Sequence, residues 1–150
     1  MRRLLATTLV VVPLLLGGCG SDPVDVEGNW MLVGARLPEG HWDPEDPEQT
    51  RYFLQIAQAT DEAGDDVGLV AKGFAGCQEY QARVEQDGGD LDFADLEVID
   101  RPNCQADTVP DPLEGNLPGA IEAIESAEME DDLLVLRGPS TTLTFEERAS

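Results

Sequence analysis

Along this chain, apolar positions alternate with polar ones over short runs that stop at turn residues, the period of half-buried strands. Gly28 to Leu37 opens the series: Trp30, Met31, Leu32, Val33 and Ala35 put apolar groups on both faces, which predicts a strand covered on both sides with Trp30 in the core. Prolines 38, 44 and 47 and the acids among them predict a surface loop from Pro38 to Thr50. From Arg51 to Gln58, Tyr52, Leu54 and Ile56 alternate with Arg51, Phe53 and Gln55, the period of a half-buried strand, and the next strand is predicted over Val67 to Phe74. Lys72 lies inside the latter, where its stem can pack while the ammonium reaches water. Gly73 and Gly76 flank Phe74-Ala75 and predict a bend.

Tyr80, Ala82 and Val84 alternate with Gln81, Arg83 and Glu85, and Asp87-Gly88-Gly89-Asp90 predicts a hairpin into Leu91 and Phe93. Leu91 and Phe93 are odd-numbered whereas Leu96 and Val98 are even-numbered, so a bulge or break is predicted near Asp95. Pro102, Pro110 and Pro112 make Arg101 to Pro112 a non-helical connection. Leu113, Leu117, Ile121 and Ile124 fall at helical spacing, with Asn116 as N-cap and Pro118 in the first turn; they predict one helix from about Leu117 to Ser126. Leu133 to Leu136, Gly138-Pro139-Ser140, and Leu143 and Phe145 alternating with Thr142 and Thr144 predict a closing hairpin. Seven or eight short strands, hairpin turns and one helix imply a mostly β, α+β domain.

The first residues follow a different rule. Arg2 and Arg3, the apolar run Leu4 to Leu16 and Gly17-Gly18 before Cys19 have the three-part layout of a secretory signal, and the run is too short to span a bilayer. Leu16-Gly17-Gly18-Cys19 resembles a bacterial lipoprotein signal, which implies cleavage after residue 18, lipidation of Cys19, and tethering to the outer face of the cell membrane or in the periplasmic envelope. Gly20 to Glu27 then reads as a flexible tether before one domain over 28–150. Export leaves Cys77 and Cys104 as a pair outside the reducing cytosol, and a structural disulfide is favoured over a redox site because no Cys-x-x-Cys spacing occurs.

Charge narrows the partners. Of 150 residues 31 are acidic, all beyond Cys19, and without Arg2 and Arg3 the remaining bases number seven, for a formal balance of about −24. Nucleic acid is excluded as a partner, because clustered Lys and Arg are needed to neutralise phosphates. The same charge repels anionic headgroups, so the lipid on Cys19 would have to hold the chain at the membrane. A cation or a basic protein is the kind of partner such a surface attracts.

Candidate chemistry is sparse. His41, the single histidine, stands beside Trp42, Asp43, Glu45 and Asp46, but one histidine lacks the cluster that a zinc site or catalytic dyad needs, and a solvated loop is expected. Asp61 to Asp66 is acidic without the calcium-loop order and is read as a polar turn. No Gly-x-Ser-x-Gly or phosphate-loop motif occurs, and Glu79 and Asp100 would raise rather than lower the pKa of a free Cys77 thiol. No catalytic residues, metal ligands or cofactor are expected.

Gly28-Asn29-Trp30, the stretch Gly73-Phe74-Ala75-Gly76-Cys77-Gln78-Glu79-Tyr80, Cys104, the Leu117 to Ile124 helix and Leu134-Val135-Leu136 together resemble the META-domain family of HslJ-like, heat-shock-associated envelope proteins. The resemblance covers about 25 to 147 and departs at Gln78, where the family has Asn, at Ala82, where it commonly has Gly, and at Asp100, where it has Thr. It implies a compact, mostly antiparallel β structure, a small, partly open lipocalin-like barrel or strongly curved sheet with a short helix packed on it, the motif residues Gly28, Trp30, Gly73, Gly76, Cys77, Gln78, Tyr80, Asp100 and Cys104, and a non-enzymatic envelope protein with a binding or stress-tolerance role; a monomer is expected. Two alternatives stand beside it: an acidic binder or inhibitor of a basic secreted protein, and a small hydrolase or thiol enzyme.

Overall fold

The computed structural model describes residues 23–43, 51–101 and 113–148; the expected signal 1–18, Cys19 and Cys104 lie outside them. In chain order the elements are β1 (Gly28–Leu37), β2 (Gly40–Trp42), β3 (Tyr52–Thr60), β4 (Asp66–Ala75), β5 (Gln78–Asp87), β6 (Asp90–Asp100), α1 (Leu117–Glu122), β7 (Ser126–Glu130), β8 (Leu133–Gly138) and β9 (Thr141–Glu147). The strands pair antiparallel in the order β2-β1-β3-β4-β5-β6-β7-β8-β9, and β1 also pairs with β9. The expected small barrel with a short helix is therefore the fold, and its wall closes on itself, with β2 as an extra strand on β1. The seam is thinnest between β6 and β7. There Asp90 pairs with Ser126, Leu91 N–H donates to Glu125 O and Ala127 N–H to Gly89 O, and α1 packs against β6 beside them.

A small barrel fills its interior with the inward half of each strand. Leu32, Leu54, Leu134, Leu136, Leu143 and Phe145 are wholly inaccessible, and Tyr80 and Phe93 are no more than 2% exposed. Leu113, Leu117, Ile121 and Ile124, from α1 and the residues around it, join the same core. Burying a side chain of this size contributes roughly 1.5–3 kcal/mol, so the alternation read from the sequence is also the main source of stability.

Four local expectations change. Val26 is buried and Val24 packs against the core; Trp30 Nε1 donates to Val26 O at 2.9 Å and Gln86 Nε2 to Val24 O at 2.6 Å, so the packed body begins before Gly28 and takes in the end of the expected tether. Gly40–Trp42 is a strand rather than loop, because the Pro38-Glu39 turn folds it back so that His41 pairs with Arg36. The helix ends at Glu122 rather than near Ser126, since β7 begins at Ser126. Asn116 does hold the N-cap position with Pro118 in the first turn, but its backbone angles are helical and its side chain makes no capping bond. The break near Asp95 is present: Asp95 has φ 55° and the β5–β6 register shifts between Gln81 and Arg83.

Candidate functional site

The motif residues separate into two groups, and the ladder registers show why. Trp30, Leu54, Gly73, Tyr80 and Val98 are consecutive partners across β1, β3, β4, β5 and β6, so Trp30, Gly73 and Tyr80 share one row of the barrel. The Tyr80 hydroxyl donates to Phe53 O at 3.1 Å, and burial pushes its phenol well above the ordinary range. Gly73 opposite has no side chain where the tyrosine ring lies.

The second group forms the β4–β5 turn. Gly76 takes φ +65°, a conformation that suits glycine, and a Cβ there would meet the Glu114 carboxylate at 2.7 Å. That carboxylate accepts the Cys77 N–H at 2.7 Å, tying the turn to the segment before α1. Gln78 and Asp100 are register partners, and Gln78 Nε2 donates to Asp100 Oδ1 at 3.0 Å. Two of the positions at which the sequence departs from the META-domain pattern it resembles thus bond each other. Arg101 closes the knot: its N–H donates to Cys77 O, its guanidinium meets Glu79 at 3.1 Å and lies 4.0 Å over the Phe74 ring, and Phe74 touches Phe53. Hydrogen bonds and ion pairs here join strand ends, which is the work of a structural clamp; the expected partner of Cys77, Cys104, is outside the described residues.

A different set of polar side chains meets on the outer wall. Val33, Arg36, His41, Asp43, Thr142 and Thr144 line a shallow groove of about 320 Å³ across β1, β2, β8 and β9. His41 Nε2 lies 2.9 Å from Asp43 Oδ2, with both side chains more than half exposed. Arg137 at the far wall binds Glu128 and Glu130, and the Arg137 bond holds the Glu128 carboxyl below its ordinary range. The outward alternation of Thr142 and Thr144 was visible in the sequence, but their meeting with Arg36 and His41 depends on the β1–β9 closure and was not. Among the described residues no group of three or more His, Cys, Asp or Glu is arranged to hold a metal ion, and no helix is long and apolar enough to cross a membrane.

No family model and no curated protein matches the chain. Among solved structures it is similar to a protein from Burkholderia xenovorans determined by NMR, at 20% identity and a TM-score of 0.59, covering 99% of this chain and 100% of that one. A second NMR structure is 13% identical with a TM-score of 0.50, over 81% of this chain and 89% of the other. A DUF4847 family protein from Bacteroides vulgatus is 10% identical with a TM-score of 0.47, over 83% and 94%. At these identities the likeness to the first two is one of fold.

Proposed function

We propose that this chain is a lipid-anchored, META-like envelope domain that works as a non-enzymatic binding module, engaging a cationic protein or peptide through its outer surface. The observation that carries the reading is that, among the described residues, the barrel interior is filled. A side chain with no surface open to water borders no void that could admit a ligand, and Leu32, Leu54, Leu134, Leu136, Leu143 and Phe145 are in that state. Recognition is then left to the outside, where the acids lie. The Leu16 to Cys19 signal supports the anchor, the resemblance through Gly28-Asn29-Trp30 and Gly73 to Tyr80 supports the stress-tolerance setting, and Cys77, which is disulfide-bonded, supports a Cys77–Cys104 bridge.

Two measurements test the parts separately. Palmitate should label the wild type and not Cys19→Ala; equal labelling removes the anchor. The full chain in neutral detergent should stay on a poly-lysine resin at low salt and leave it as salt screens the field, and passage through the resin at low salt removes the cationic partner.

A further inference from the structure

The neighbour of β6 on the side away from β5 changes along its length. Near Asp90 it is β7, next to that α1 packs against the strand, and from Leu96 to Asp100 no described strand pairs with that side. One bond fixes which backbone groups point there. Arg101 N–H donates to Cys77 O, so in the antiparallel alternation Ile99 and Glu97 bond Glu79 and Gln81 of β5. The N–H and C=O groups of Leu96, Val98 and Asp100 therefore face the other way, an edge unpaired by any described strand. Val98 and Ile99 on this stretch are 41% and 46% exposed, although both are large and apolar.

Charge selects what could pair there. The strand carries Asp90, Asp92, Asp95, Glu97 and Asp100 and no Lys or Arg. Edges so marked resist pairing with themselves, because a second copy would bring the same acids alongside. A basic strand meets the opposite field. Arg101, the nearest cation in sequence, is already held by Glu79 and the Phe74 ring, and Arg83 is taken by Asp95; Glu97 and Asp100 accept from the neutral amides of Gln81 and Gln78, so their charge is left to a partner.

We propose that the Leu96 to Asp100 edge of β6 accepts an extended, Lys- or Arg-rich segment of another protein as an added strand. This rests on the cationic-partner reading above and names its site. Beside such an edge, alternate side chains of the added strand face Glu97 on one side of the sheet and Leu96 and Val98 on the other, so alternating basic and apolar residues fit both. Backbone hydrogen bonds supply the attachment, and the acids select the partner's sign.

The test uses the full chain in neutral detergent and two probes: a peptide of alternating lysine and valine, and the same peptide N-methylated on the nitrogens of one edge. Methylation keeps charge and side chains but removes the donors that strand addition needs, and it leaves the protein unaltered. The expected result is binding of the first peptide, a loss of roughly tenfold or more for the second, and slowed hydrogen exchange at the amides of Leu96, Val98 and Asp100. Equal affinity for both peptides, or no slowing at those amides, overturns the edge site and leaves the cationic-partner reading standing. Failure of both peptides to bind at low salt overturns the two together. A peptide-free dimer that protects the same amides assigns the edge to a second copy and overturns the proposal.

Discussion

Gly73 and Tyr80 face each other across the β4–β5 ladder, and the phenol occupies the place a side chain on residue 73 would need. A Cβ there would lie 2.3 Å from Tyr80 Cζ and Oη and 2.3 Å from Phe53 O. The ring cannot retreat without losing its bond to Phe53, and the carbonyl belongs to a paired strand. Gly73→Ala is expected to cost about 3 kcal/mol and to lower Tm by roughly 10 °C. Thermal unfolding followed by circular dichroism checks this, and an unchanged midpoint would refute the contact.

The Tyr80 phenol is buried and donates to Phe53 O. Because burial raises its folded pKa above the unfolded value near 10, its stabilising contribution is complete below that value. It is lost as pH rises from there toward the folded value. Phenolate absorbance from Tyr80, obtained by subtracting the Tyr80→Phe titration, should thus appear together with alkaline unfolding rather than before it. At neutral pH Tyr80→Phe removes one hydrogen bond and should cost about 1 kcal/mol.

Glu114 accepts the Cys77 N–H from 37 residues away. Glu114→Ala leaves that donor without its acceptor and should shift the denaturant midpoint by an amount equivalent to about 1–2 kcal/mol. Glu114→Gln keeps an oxygen at the same reach and should recover most of the loss. Equal destabilisation by both would mean that the charge, not the acceptor, matters.

The proposed Cys77–Cys104 bridge closes a loop of about 28 residues, for which the chain-entropy estimate is about 3.5 kcal/mol. Native material should resist alkylation at both sulfurs until it is reduced, and reduction should lower the unfolding midpoint. Mass analysis that finds both thiols alkylated without reductant removes the bridge.

What could be read from the sequence was what depends on neighbours along the chain. Tyr80, Ala82 and Val84 announced an inward face, and the change of parity between Phe93 and Leu96 announced the bulge that Asp95 makes with φ 55°. What could not be read depends on contacts between distant segments. Val26 looked like part of a tether because two valines among acids show no period, and only the Trp30 indole and the core explain its burial. Gly40–Trp42 is too short to display alternation and exists as a strand because β1 extends far enough to pair with it. The outer groove unites residues from both ends of the chain, Arg36 with Thr142, which no local pattern connects.

The ladder between β1 and β9 sets Trp30 beside Glu147 and Arg36 beside Thr142. A chain threading out of any channel presents β1 long before β9, so β1 must wait with that flank unzipped until the residues through Glu147 have emerged. Contacts of such long sequence separation form slowly, since much loop entropy is lost before they are made. Closure of the wall therefore waits on the arrival of β9: a copy truncated before Thr141 would leave Leu32 and its neighbours unsealed and open to proteolysis.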